Sequence, residues 1–262
     1  MDYHFNTPSP IHLHVDIPAG DVRLEAADVM TTDVVLEPLG DIRRAQAIID
    51  EVRVEHRGAD VYVLFPKHGR TLFGDRGRVR LTVRTPSASA VTIKSGSADI
   101  SASGRFGDVD VAAGSGDVRF DGTGRATVRS GSGEIRIADI DGTLQAKAGS
   151  GTVDFAAVHG AAKISNGSGD VRVGVVDGEL SVKSGSGDVS IADAAESVHA
   201  LSGSGDFAVE RVHGGAVRAR TGSGDVRVGV ADGIAVLLDV SSASGTVHSE
   251  LEATDAPEDG RQ

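Results

Sequence analysis

A tetrapeptide, Gly-Ser-Gly-Asp, returns along most of this chain at a nearly fixed interval, and that interval leaves few folds open. After Gly167-Ser168-Gly169-Asp170-Val171-Arg172-Val173 comes Gly174-Val175-Val176-Asp177-Gly178-Glu179-Leu180-Ser181-Val182-Lys183-Ser184, and Gly185-Ser186-Gly187-Asp188 starts the unit again. The acidic position is filled by Asp99, Asp117, Glu134, Asp170, Asp188, Asp206 and Asp225, with Thr152 and Thr246 standing in for it. Successive steps are 18, 17, 18, 18, 18, 18, 19 and 21 residues. A unit this short cannot bury a core alone, so its copies must stack on one another.

Inside the unit the apolar residues alternate with period two, the mark of a strand with one buried face. Val171/Val173 recurs as Val118/Phe120, Ile135/Ile137, Val153/Phe155, Val189/Ile191, Phe207/Val209 and Val226/Val228. Leu180/Val182 recurs as Ala126/Val128, Leu144/Ala146, Ala162/Ile164, Val198/Ala200 and Val217/Ala219. A third apolar row holds Ile140, Val158, Val176 and Val212. Gly-Ser-Gly is expected to make one turn and Asp-Gly, as in Asp177-Gly178, the other. Two strands and two turns leave no room for helices. The pattern therefore predicts an all-β chain, a single flattened β-solenoid of ~18-residue rungs about 4.8 Å apart, with inward ladders of Val, Ile, Leu and Phe. Apolar offsets of 0, 2, 5, 9 and 11 from Val171 do not fit the every-sixth pattern of the left-handed hexapeptide helix.

Residues 1–85 read as an irregular N-terminal β cap continuous with the solenoid, because an open solenoid end exposes strand edges and apolar rows. Ile11 to Ile17 alternates cleanly, and Pro18-Ala19-Gly20 is expected to turn the chain. Asp41 to Asp50 is the one helical candidate: Asp41 can cap it, and Ile42, Ala45, Ile48 and Ile49 make an apolar stripe. Residues 86–250 form the repeat array. Adjacent Leu237 and Leu238 break the alternation near its end, which predicts a last rung whose outer side is also covered. Residues 251–262 are polar and read as a disordered tail.

Aromatic residues make up only 3% of the 262-residue chain and Trp is absent, which suits a thin solenoid filled by small aliphatic side chains better than a compact core. Cysteine is absent, which excludes disulfides, thiol nucleophiles and cysteine zinc sites. A net charge of −12 makes nucleic acid and anionic membrane surfaces poor partners. Met1-Asp2-Tyr3-His4-Phe5 has neither a basic region nor an apolar one of the kind that leads secretion, and no apolar run approaches the ~18 residues of a membrane span. The expected location is cytoplasmic.

The Gly-Ser-Gly-[Asp/Glu]-[Val/Ile]-Arg units, together with Asp16-Ile17-Pro18-Ala19-Gly20-Asp21-Val22-Arg23, resemble a bacterial putative-adhesin family of unknown function. The likeness runs from Asp16 through Ser244. It implies tandem β-solenoid rungs behind an irregular N-terminal β region, and it suggests an adhesin-like role.

Three chemistries compete with a structural role for the repeats. Stacked outward carboxylates could bind Ca2+, but β-roll calcium sites use a nine-residue Gly-Gly-x-Gly-x-Asp period, and here Asp follows Gly directly. Like charges one rung apart repel by about 0.9 kcal/mol in water-like dielectric. Arg172 and its equivalents, and the row Lys94, Arg129, Lys147, Lys183 and Arg220 beyond the Gly-Ser-Gly segment, are expected to offset that repulsion. A carbohydrate-active β-helix enzyme, a lyase or hydrolase, would need long loops walling a cleft with clustered acids. Every repeat turn here is short, and His159 and His213, three units apart, would sit about 14 Å from one another, too far to share a metal. Nucleotide binding fails because no Gly-rich copy opens a helix and no P-loop is present. No cofactor or metal is assigned.

The expected function is therefore that of a non-enzymatic scaffold or binding module engaging a protein or carbohydrate partner, with the carbohydrate-active enzyme as the alternative. Contact is expected at the two non-repeating regions. One is the basic loop with Lys67, Arg70, Leu72, Phe73, Arg76 and Arg78; the other is the final rung with Leu237, where strand addition could drive self-association.

Overall fold

The computed structural model of the chain describes residues 1–66 and 77–248. It is almost entirely β, 3% helical, wound into a parallel β-solenoid of about nine turns of roughly 18 residues. The elements before the array are β1 (Asp2–Asn6), β2 (His12–Ala27), β3 (Thr31–Leu39), α1 (Ile42–Ile49), β4 (Arg53–Arg57), β5 (Asp60–Leu64) and β6 (Arg78–Pro86), and β7 (Ala90–Arg105) opens the array. From β7 onward each turn supplies two strands, one to each of two faces.

On face A, the first half of β7 is followed in parallel by Val109–Ser115, Ala126–Ser132, Leu144–Ser150, Ala162–Ser168, Leu180–Ser186, Val198–Ser204, Ala216–Ser223 and Leu237–Ser244. On face B, the second half of β7 is followed by Val118–Thr123, Ile135–Ile140, Val153–Val158, Val171–Val176, Val189–Ala194, Phe207–Val212, Val226–Val230 and Val247–His248. The rungs stack in register, Val153 to Val171 to Val189 and Leu144 to Ala162 to Leu180, so like residues form continuous ladders. The rows anticipated from the sequence are the core: Val171, Val176, Leu180 and Ile164 are fully buried. A further inward position holds small polar residues. Asn166 fills it in one rung and donates through its amide to the carbonyls of Gly151 and Gly169, knitting the corner of two turns.

The bend differs from the sequence expectation. Gly167 and Ser168 remain in the strand, with Ser168 paired to Ser150 and Ser186, and the chain turns at Gly169-Asp170. The two glycines are needed for different reasons. A Cβ on Gly167 would lie 2.4 Å from the Gly149 carbonyl oxygen, so that position is reserved for close approach of rungs. Gly169 has φ +101°, a backbone region open to glycine and costly for other residues.

The long strands β2 and β7, 16 residues each, run round a corner without interruption and join both faces into one hydrogen-bonded sheet. Pro18-Ala19-Gly20 is thus a bend within β2 and does not separate two strands. The first half of β2 pairs in parallel with β5, which pairs antiparallel with β4. The second half pairs in parallel with β6, and β3 and then β1 follow antiparallel. Helix α1 begins where Asp41 accepts hydrogen bonds from the backbone of Arg43 and Arg44, and its buried Ala45 and Ile49 pack on β3 and β6. Ile42, at the helix start, is exposed.

At the other end the inward residues Leu238 and Val240 are only half-buried, and Leu237 is 62% exposed. The covering expected for the outer side of the last rung is not found among the described residues. The strand Leu237–Ser244 alternates normally. Its adjacent leucines fall on opposite sides because successive side chains in a strand point opposite ways.

Candidate functional site

The column of carboxylates at the corners is tied into the backbone. The Oδ1 atom of one acid accepts the backbone N–H of the residue that takes its place one rung later. Asp99 accepts from Asp117 at 3.1 Å, Asp117 from Glu134 at 2.9 Å, Asp188 from Asp206 at 2.9 Å and Asp206 from Asp225 at 2.9 Å. The last such acceptor, Asp225, takes the N–H of Thr246 at 2.9 Å. Asp follows Gly because the positive-φ glycine turns the next N–H toward the preceding carboxylate. Where an arginine stands two residues on, it meets the other carboxylate oxygen: Arg119 joins Asp117 and Glu134, both at 2.8 Å, and Arg172 meets Asp170 at 2.8 Å. The Glu134 N–H, and after it Arg119, hold the Asp117 carboxyl below the ordinary carboxylate value. These contacts give one oxygen of each of these aspartates a structural role in the corner.

The row of cations assigned to offset that column lies elsewhere. Lys147, Lys183 and Arg220 stand outward on face A, while the corner carboxylates lead into face B. No ion pair joins the lysine row to the corner carboxylates among the described residues. The register adds Lys163, beside Gln145 and Ser181, and Arg218, beside His199, to the same face. Arg129 meets Asp110 at 3.3 Å and Arg220 meets Asp239 at 3.4 Å. Lys147, Lys163, Lys183 and Arg218 have no anionic partner among the described residues. The strands of Arg129, Lys147, Lys163 and Lys183 are consecutive, about 4.8 Å apart, and that of Arg218 follows after one intervening strand, Val198–Ser204. Shallow grooves of about 390 and 230 Å3 lie among them, the first lined by Arg125, Thr127, Gln145 and Lys163 with Glu179 as its one acid, the second by Arg129, Lys147 and Ser165. An acidic chain therefore carries an outward basic stripe. The sequence hid it because both signs alternate along every repeat, and only the assignment of each strand to a face separates them.

Of the contact residues expected from the sequence, Lys67, Arg70, Leu72, Phe73 and Arg76 lie outside the described residues. Arg78 opens β6, with its guanidinium 3.5 Å from the Gly20 carbonyl oxygen. Leu237 opens the last face A strand.

His159 bridges two turns, with Nδ1 at 2.7 Å from Asp177 and Nε2 at 3.1 Å from Asp139. Asp177, and then Asp139, raise its pKa above the ordinary imidazole value. Arg105 bonds Asp139 and Asp141, and it holds the Asp139 carboxyl low. His213 contacts Asp193 at 3.0 Å, so the two turn histidines are held by different aspartates. A different cluster, absent from the sequence reading, forms on the cap side of face A. His12 and His14 of β2 and Asp60 of β5 bring three ligand atoms within 4.8 Å of one another. The signal in the sequence was His-x-His in an alternating strand, which places both rings on one face. The third member is 46 residues from His14 and becomes visible only once β5 is paired with β2.

The profile of the Toastrack DUF4097 family matches residues 46–192 and, overlapping them, 174–261. No curated protein sequence matches the chain. Among solved structures, a putative adhesin from Bacteroides fragilis is similar at 13% identity over 94% of this chain and 95% of that one, with a TM-score of 0.43. A putative adhesin from Parabacteroides merdae is similar at 11% identity over 94% of each chain, TM-score 0.39. A putative lipid binding protein from Parabacteroides distasonis is similar at 9% identity over 94% and 96%, TM-score 0.38. Likeness at this level says nothing of what this chain binds. No helix among the described residues is long and apolar enough to cross a membrane.

Proposed function

The chain belongs to the Toastrack DUF4097 family, and from that premise we propose that it is a non-enzymatic solenoid scaffold whose face A engages a negatively charged protein or carbohydrate partner. The observation that carries this reading is the set of cations without an anionic partner among the described residues, Lys147, Lys163 and Lys183 on three consecutive strands of one face and Arg218 two strands further on, in a chain of net charge −12. Solvated cations held at a fixed spacing by a rigid sheet meet an anionic partner without first breaking internal ion pairs. They also steer its approach electrostatically. Against the carbohydrate-active enzyme stands the shallowness of the face. The connections between array strands are a few residues long, and the acids on face A sit beside cations of the same surface, Asp110 with Arg129 and Asp239 with Arg220.

The test measures binding of the full chain to an acidic polysaccharide and to an acidic polypeptide at low and high salt. Binding should weaken as salt rises. It should be lost in the triple variant Lys147→Glu, Lys163→Glu, Lys183→Glu and kept in Arg172→Glu on face B. Equal loss in both variants would sink the assignment to face A. A second reading concerns self-association through the last rung, and it is favoured by the exposure of Leu237 beside half-buried Leu238 and Val240. Sedimentation of wild type against Leu237→Asp decides it: a wild type that is monomeric at every concentration rules it out.

A further inference from the structure

We propose that His12, His14 and Asp60 form a binding site for a borderline divalent transition metal, Zn2+ in the first place, that clips the cap strand β5 to the first rung of the solenoid. The residues come together through two regularities. His12 and His14 are two apart in β2, so both rings stand on the outer side of face A. Asp60 is the register partner of His12 on β5, and Tyr62 is that of His14.

The ring orientations suit ligation. His12 Nε2 lies 2.8 Å from Thr92 Oγ1 on β7, the strand flanking β2 on its other side. With the Nε2 proton donated to the threonine, the lone pair of Nδ1 is left facing Asp60 Oδ1, 4.0 Å away. An outer-shell hydrogen bond on the remote nitrogen is the usual way a protein fixes the tautomer of a metal-bound histidine. His14 Nε2 lies 2.8 Å from the same carboxylate oxygen, and its ring is stacked on Tyr62 at 4.5 Å and 8°. Three ligand atoms, two imidazole nitrogens and one carboxylate oxygen, thus converge from two adjacent strands.

Zn2+ binds such atoms at about 2.0–2.2 Å, which in tetrahedral geometry spaces them about 3.3 Å apart. The 2.8 Å and 4.0 Å separations straddle that value. All three atoms lie within 4.8 Å of one another, and admitting the ion requires the rings to rotate until the separations match. The histidine rings are 3.9 Å apart, centre to centre, so two protonated imidazoles would repel strongly, whereas one dication takes both lone pairs and meets the carboxylate charge. All three side chains are partly exposed, which leaves a fourth position for water and sets a modest affinity. The nitrogen ligands select Zn2+, Ni2+ or Cu2+ over Ca2+ and Mg2+, which prefer all-oxygen shells.

The experiment is titration of the metal-free full chain with Zn2+ alone, by calorimetry and by equilibrium dialysis, with Ca2+ as comparison. One Zn2+ per chain and no Ca2+ at this site is the expected result. His14→Gln and Asp60→Asn should each weaken Zn2+ binding at least tenfold, and His12→Gln likewise, while His159→Gln and His213→Gln leave it unchanged. Co2+ added to the wild type should give the intense visible absorption of a tetrahedral site, and this readout does not depend on any variant folding. Absence of stoichiometric Zn2+ binding by the wild type, a Co2+ spectrum like that of the hydrated ion, or undiminished affinity in folded His14→Gln would each overturn the proposal.

Discussion

Leu180→Ala tests the ladder arrangement most directly. Leu180 is fully buried, stacked between Ala162 of the preceding rung and Val198 of the next. The substitution removes three carbon groups; at ~0.8 kcal/mol for each the lost transfer energy is ~2.4 kcal/mol. The space cannot be reclaimed from below, because Ala162 is itself the shortest apolar side chain. Above, Val198 is branched at Cβ and stiff. A residual cavity of roughly 60 Å3 at ~24 cal/mol per Å3 adds ~1.4 kcal/mol. The expected loss is about 4 kcal/mol. Lys183→Ala, three residues on in the same strand, removes an exposed side chain with no ion-pair partner, and should cost less than ~1 kcal/mol. Urea denaturation followed by far-ultraviolet circular dichroism gives both values from the shift in midpoint at unchanged slope. Equal losses, or a Leu180→Ala loss below that of Lys183→Ala, would refute the inward and outward assignment of the face A strands.

Asp206→Ala, which strips the acceptor from the backbone N–H of Asp225, should cost about 1–2 kcal/mol, and Asp206→Asn, which keeps an acceptor oxygen, clearly less; urea midpoints compare them. The depressed Asp117 pKa contributes stability that is present above the ordinary value of 3.8 and lost as pH falls through the lower folded value, so Asp117→Asn should flatten the acid limb of the stability profile. His159 has the opposite sign: its raised folded pKa contributes stability present in full below 6.5 and lost as pH rises through the folded value, and His159→Gln should remove that decline from the urea midpoint measured across the same range. Millimolar Ca2+ should leave the melting temperature unchanged, because the corner carboxylates already accept backbone N–H groups; a calcium site at 100 times its Kd would add about 2.7 kcal/mol and show as a clear rise in Tm.

What the sequence settled was whatever repeats. A period near 18 with two-residue alternation fixes which side chains are inward, because only one phase of each strand is apolar; Val171, Val176 and Leu180 fall on that phase and are buried. The corner acids were legible as a column, and the arginine two residues on as its partner, since both follow from spacing within one strand. The lysine row was legible too, but not its separation from the acids: the residues adjoin across a bend, and the sequence does not say that the bend sends them to different faces. The position of that bend, which starts at Gly169 and not at Gly167, depends on rungs packing so closely that Gly167 serves contact and Gly169 serves curvature. The cap was least legible. Its strands do not repeat, so no periodicity sets their register, and the meeting of Asp60 with His14 across 46 residues depends on β5 adding in parallel to the free edge of β2. Local pattern determines which way a side chain points from its strand; which strand lies beside it, when nothing repeats, is decided by the competition of whole edges for hydrogen bonds and burial, and that is settled only when the chain folds.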